Sequence, residues 1–199
     1  MAESYGIPGG DMRIASFHKV WVIDYDNDIV VAGYIGEGTS KEIVSNWDTP
    51  FADSSLAAKF AIVSGAMQEW TNVRVQSAIN SRQMWSGNQP YTFNVVMKFR
   101  AFDRPEFEVE GAIKALEMMM APNAAAGGLA MRIPTNITLN FGGMQILPDC
   151  CIKSMSVPLD KERDKNGSLL RADVSLQIET CQTLTRTDIV NIYPSVDMN

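Results

Sequence analysis

The chain has one histidine, His18, and three cysteines, Cys150, Cys151 and Cys181. A Ser–His–Asp or Cys–His nucleophile would have to be built on His18, because a hydroxyl or thiol needs a neighbouring base. His18 lies in the apolar run SFHKVWV, which reads as a strand with no partner flagged. A single histidine excludes His-rich zinc ligation. Adjacent cysteines lack the spacing of a zinc half-site, and an odd count is no disulfide framework, so all three read as reduced, mostly buried small apolar residues. DYDND sets Asp24, Asp26 and Asp28 at alternate positions, as a calcium loop begins. The glycine that such a loop needs at its sixth position is Ile29, and the glutamate at its twelfth is Ile35, so the stretch reads as a solvated hairpin tip. GEGTSK holds Gly36, Gly38 and Lys41 without the Gly-Lys-Ser/Thr ending of a phosphate loop. Glu106, Glu108 and Glu110 gather where a helix dipole favours acids. No acid, base and nucleophile converge in this pattern. The reading is of a non-enzyme, with no catalytic residue, cofactor or metal ligand assigned.

The elements therefore matter more than any reactive group. The sequence has 199 residues, a net charge of −6 and a pI near 4.8, which speaks against a basic face gripping nucleic-acid phosphates. No apolar run approaches the ~20 residues that cross a bilayer. Residues 1–12, with Gly6, Pro8, Gly9 and Gly10, read as a flexible arm. RIASFHKVWVI and IVVAGYIG predict a hairpin around DYDND, and a polar loop or strand with an excursion follows. LAAKFAIVSGAMQ is open between helix and strand, and WTNVRVQSAINSRQMW alternates in part. From Tyr91 the odd positions Phe93, Val95, Met97, Phe99 and Ala101 are apolar, while Thr92, Asn94, Lys98 and Arg100 are polar, which predicts a long strand with one wet face. A helix capped by Asp103, with Pro105 and Glu106 in its first turn, carries the stripe Val109, Ile113, Leu116 and Met120. Strands are expected over NITLNF and MQIL, joined by Gly142-Gly143. A final hairpin pairs CIKSMSVPL with LLRADVSLQIET, placing Leu170, Ala172, Val174, Leu176 and Ile178 inward. Its tip, DKERDKNG, alternates six charges in sign. The fold class expected is mainly β with one packed α-helix (α+β), a single domain over 13–199.

This order of elements resembles phage proteins of the tail-tube fold, above all the tube-like proteins at the baseplate end of contractile tails. Trp85-Ser86-Gly87 with Pro90, the alternating strand to Phe102, the helix ending at Ala121-Pro122 and the closing hairpin carry the resemblance, over about residues 40–193. It implies a β-sandwich or partial barrel with long hairpins, assembled as a hexameric ring around a channel for DNA and the tape-measure protein. The implied partners are other copies of the chain and adjacent tube or baseplate hub proteins, with sheath as a further neighbour. DNA is implied only as non-specific cargo, no membrane is involved, and the place is the virion tail, assembled in the host cytoplasm. Candidate assembly residues are Trp85, the tip residues Asp160, Lys161, Glu162, Arg163, Asp164 and Lys165, and the wet strand face with Arg171, Asp173 and Glu179. That face reads as mildly acidic, repelling phosphates in the channel. Long strands with unpaired edges read as the joining surfaces. Two alternatives stay open: the main tube protein itself, and a non-viral β-sandwich binding module that uses Trp47, Trp70 and Trp85 to hold a ligand.

Overall fold

The computed structural model describes residues 3–7, 14–48, 83–122 and 133–194. The two stretches around 56–85 that the sequence leaves ambiguous fall almost wholly outside them, as does Trp70. The chain divides into two compact units, Met1–Glu42 with Pro90–Asn199, and Ile43–Gln89.

The first unit is mainly β with a packed helix and a partial β-barrel, the α+β class expected from the sequence. Strands β2 (Lys19–Asp24) and β3 (Ile29–Ile35) form the first hairpin. The expected strand starts only at Lys19, because Ser16–His18 forms a 3-10 turn and leaves His18 exposed. Gly142 holds that turn close: a Cβ there would stand 2.6 Å from the Phe17 Cα. Strand β4 is Ser40–Glu42, and β7 is Thr92–Arg100. Strand β8 is Ile137–Phe141, β9 is Gln145–Ser156 and β10 is Arg171–Thr180. Neighbours run β3, β2, β8, β9, β10, β7, and β7 returns to β3 and β4. Gly36–Thr39 is a turn that lets β3 and β4 follow β7 one after the other: the Gly36 N–H donates to the Val96 carbonyl at 2.7 Å, and the Val96 N–H to Thr39 Oγ1 at 3.1 Å. This is the structural use of the GEGTSK loop.

MQIL and CIKSMSVPL are one strand, not two. Its first half pairs with β8 and its second with β10, so β9 turns a corner at Pro148-Asp149, where Asp149 has φ +52. Such a bend re-aims a strand from one half of a barrel to the other.

The inward face of β7 and β10 is as the period-two pattern predicts. Phe93, Val95, Met97 and Phe99 oppose Ile178, Leu176, Val174 and Ala172, all at most 2% exposed. Leu170 departs from the prediction. It precedes β10 and is 39% exposed, while Leu169 enters the core.

Helix α1 (Gly111–Met120) follows a π-turn over Glu106–Glu110. Its buried face is Gly111, Ala112, Ala115, Leu116 and Met119, continued by Val109 of the π-turn and rotated from the predicted stripe so that Ile113 and Met120 lie at its margins. The π-turn inserts an extra residue, which shifts the helical phase. Asp103 does not cap the helix. Glu108 reaches back instead, and its carboxylate accepts the Phe102 N–H and, at 3.2 Å, the Asp103 N–H. The flexible-arm reading does not hold for β1 (Glu3–Gly6), which pairs in parallel with β3 and is followed by buried Ile7. Tyr5 packs against Gly111, where a Cβ would come within 2.9 Å of its ring. The sequence does not show this, because four residues recruited to an existing edge need no periodicity of their own.

Asp24 is the main polar anchor of the unit and is 1% exposed. It accepts from the Asp26 and Asn27 N–H groups at 3.0 and 3.1 Å, from Asn27 Nδ2 at 2.7 Å and from Thr135 Oγ1 at 2.6 Å. Its oxygens are thus engaged by donors of the β2–β3 turn and of the lead-in to β8, so Asp24 is not part of a solvated tip. Burial pushes its carboxyl up, but these hydrogen bonds outweigh burial and hold it below the ordinary range. A depressed carboxyl contributes stability at pH above its unfolded value, and that stability is lost as pH falls through the folded one. Asp24→Ala is expected to cost about 2 kcal/mol at neutral pH. In urea titrations the gap between wild type and variant should close as pH drops below about 4. A gap of equal size in acid would remove the charge from the account.

Candidate assembly surfaces

Strands β5 (Ser45–Asp48) and β6 (Met84–Asn88) form a two-stranded ribbon in the second unit. Trp85-Ser86-Gly87, which the sequence alone reads as a turn, is strand. Trp47 and Trp85 are direct cross-strand partners, 56% and 58% exposed, with Met84 at 58% beside them. The Trp85 indole N–H donates to Asn88 Oδ1 at 3.1 Å, so its polar atom is satisfied within the ribbon while the ring stays in water. Among the described strands, β5 and β6 pair only with each other. A two-stranded ribbon is marginal alone in water, and adjacent exposed indoles are characteristic of contact surfaces.

The edges that the sequence suggested for joining are occupied within the chain. Strand β7 pairs with β10 on one side and with β3 and β4 on the other, and β10 lies between β7 and β9. The long strand is interior because the chain folds its own hairpins against both edges.

The wet face of β10 is where the alternation puts it: Arg171, Asp173, Ser175 and Gln177 are exposed and Glu179 is half-buried. It is not acidic in its surroundings. Asp173 stands opposite Lys98, and Arg171 opposite Arg100. Glu179 pairs with Lys153 at 3.3 Å. That contact, helped by the nearby Cys151, holds the Lys153 ammonium above its ordinary range. The face adds β7 bases to β10 acids, so repulsion of phosphates does not follow from it. Its central pair is Ser175 with Val96, flanked by the polar pairs Gln177–Asn94 and Asp173–Lys98.

The tip is a built turn rather than six free charges. Asp164 Oδ1 accepts the Asn166 N–H at 2.9 Å and the Ser168 N–H at 2.8 Å, and Gly167 takes φ +93 to close the loop. Arg163 donates to the Gly167 carbonyl at 2.6 Å. Glu110 at the π-turn accepts the Leu169 N–H at 3.1 Å and lies 3.9 Å from Arg163, which ties the tip to the helix start. Glu162 pairs with Arg171 at 2.6 Å. Its carboxyl is lowered by its own backbone N–H and by that guanidinium. Three of the six tip charges, Glu162, Arg163 and Asp164, thus serve the subunit itself. Asp160 and Lys165 are exposed and Lys161 is half-buried, the remaining candidates for contacts outward.

A cavity of about 490 Å³ opens beside the β9 corner, lined among others by Tyr25, Ile146, Pro148, Leu184 and Ile192. None of its lining residues is a tryptophan, so it is not the Trp-lined ligand site of the binding-module reading. Helix α2 (Arg186–Ile192) forms one wall, and at seven residues it is too short to show an apolar period. Its signal is present as Thr185-x-x-Asp188, a reciprocal cap in which the Thr185 N–H donates to Asp188 at 2.9 Å and the Asp188 N–H to Thr185 Oγ1 at 3.4 Å. These hydrogen bonds from Thr185 hold the Asp188 carboxyl below its ordinary range. Among the described residues no helix is long and apolar enough to cross a membrane. No family model matches the chain, and no curated protein matches it by sequence.

Proposed function

We propose that the chain is a structural ring subunit of a phage contractile tail, building part of the tube at or near the baseplate hub. The observation that carries this reading is the β5–β6 ribbon, which sets Trp47 and Trp85 side by side and more than half exposed, a surface suited to a partner. Association supplies such a partner when a second copy adds a strand or packs on the indoles. The mainly β barrel with its packed helix suits a ring wall. The mixed-charge face of β7 and β10, with Asp173 and Glu179 set among Lys98, Arg100 and Arg171, suits a channel lining that does not present one basic stripe to a passing polyanion. The main tube protein would share all of these features and differ in copy number.

Negative-stain microscopy and light scattering of the purified chain, alone and with hub partners from the same gene neighbourhood, are expected to show rings with a central channel. Particles that stay monomeric at high concentration in both conditions would remove the ring reading. Quantitative mass spectrometry of whole particles then separates one ring per tail from a stacked tube.

A further inference from the structure

The three cysteines that the sequence reads as buried apolar residues meet at the β9 corner and differ sharply there. Cys150 is fully buried; its Sγ points at the Leu147 and Pro148 carbonyls, and burial pushes its thiol up to about 12. Cys151 is half-buried and Cys181 exposed, and both are free. Register places them together. Glu179 opposes Cys151 and Thr180 opposes Cys150, while the Cys181 N–H donates to the Asp149 carbonyl at 2.8 Å. Cys181 therefore stands across from the residue two before Cys151, and period two puts both side chains on one face of the sheet. The Cys181 Sγ donates to Asn136 Oδ1 at 3.6 Å, and Cys151 is near enough to help raise the Cys181 thiol.

We propose that Cys151 and Cys181 form a reversible thiol–disulfide pair, oxidised by a low-molecular-weight disulfide such as glutathione disulfide and closing a bond between β9 and the segment after β10. In the first step the Cys181 thiolate attacks one sulfur of the reagent; its S–S bond breaks and one small thiolate leaves with the electron pair. Cys151, after giving its proton to solvent, then attacks the Cys181 sulfur and expels the second small thiol. The protein loses two electrons and two protons, and the reagent is reduced to two thiols. Diagonal partners in a regular sheet stand about 7–8 Å apart at Cα, beyond the usual disulfide span of up to about 6.8 Å. Closure must draw the chain inward at the corner where Asp149 is already left-handed. A bond made under that constraint is easily reduced, which is why the pair is a reversible device rather than a permanent staple.

Four titratable groups surround the two thiols: Asp149, Cys150, Lys153 and Glu179. Burial first, then the neighbouring Cys151 and Asp149, hold the Cys181 thiol above its ordinary range, with Lys153 acting the other way. Oxidation is accordingly slow at neutral pH and speeds up as pH rises.

The test incubates the full chain with glutathione disulfide at mildly alkaline pH, quenches with acid, alkylates under denaturing conditions and measures intact mass. The expected main product has lost about two mass units before alkylation, takes up alkyl on Cys150 alone, and returns to three free thiols with dithiothreitol. Cys151→Ser and Cys181→Ser are each expected to give no internal bond and to stop at a glutathionylated thiol. A wild type that accumulates glutathionylated Cys181 without an internal bond, or an internal bond that uses Cys150, would overturn the assignment.

Discussion

Val174→Asp is expected to destabilise the subunit by about 4–5 kcal/mol, whereas Ser175→Asp, one residue on, shifts it by less than about 0.5 kcal/mol. Val174 is fully buried at the centre of β10, opposite Met97 and flanked on its own face by Ala172 and Leu176. The substitution forfeits the burial of the valine side chain, about 2 kcal/mol. It also leaves a carboxyl without a partner, which costs about 2–3 kcal/mol more even if the group takes up a proton. Against a typical domain stability of about 5–15 kcal/mol, that loss is a large share of the whole. Ser175 is exposed on the other face, so a charge there remains in water. Urea unfolding followed by circular dichroism measures both. Equal midpoints for the two variants would mean that the inner and outer faces of β10 have been assigned wrongly.

Replacing both ribbon indoles, Trp47→Ser with Trp85→Ser, is expected to abolish ring formation while leaving the barrel folded. Each tryptophan is more than half exposed, so the pair presents on the order of 200 Å² of aromatic surface. Covering that area contributes roughly 5 kcal/mol before the costs of association. Losing even half of it weakens each contact by about a hundredfold. Sedimentation would register the change as a shift from rings to monomers, and an unaltered near-ultraviolet signal from the barrel tyrosines would show that the fold had survived. Rings that persist in the double variant would move the contact surface elsewhere, with Asp160, Lys161 and Lys165 at the tip the next candidates.

These two predictions differ in how much of their basis can be read from sequence. The Val174 argument needs only alternation: a strand's side chains repeat every two residues, so an apolar–polar pattern over β7 and β10 reports its faces directly. The hairpin around Asp24–Asp28 and the Gly142-Gly143 turn are local in the same sense, since turn chemistry involves neighbours in the chain. The ribbon was harder to read. Trp85-Ser86-Gly87 looks like a turn because Gly87 is present, yet its partner is Trp47, far away in sequence, and cross-chain pairing leaves no mark on either segment alone. The helix shows the same limit on a smaller scale. Its existence and position follow from the apolar period, but the π-turn over Glu106–Glu110 shifts the phase, so Ala112 and Met119 are buried in place of Ile113 and Met120.

The tip and the cysteines show why charge and composition mislead. Six alternating charges read as a solvated loop offered to neighbours. In three dimensions Asp164 is spent on backbone N–H groups and Glu110 anchors the loop from the helix start. Likewise, three cysteines read as three small apolar residues, while burial makes Cys150 inert and register sets Cys151 and Cys181 as diagonal neighbours on one face of the sheet.

By itself the sequence determined the class of fold, the inward faces of the long strands, the first hairpin and the location of the helix, because each of these depends on periodicity or on turn residues close together in the chain. Only the tertiary structure decided which strand edges are covered, that the acids on the wet face of β10 are matched by Lys98 and Lys153, that Asp24 anchors two segments and that Cys151 and Cys181 share one face of the sheet. Those outcomes depend on which distant segments become neighbours. That choice is made by the packing of the whole core, and no local pattern encodes it.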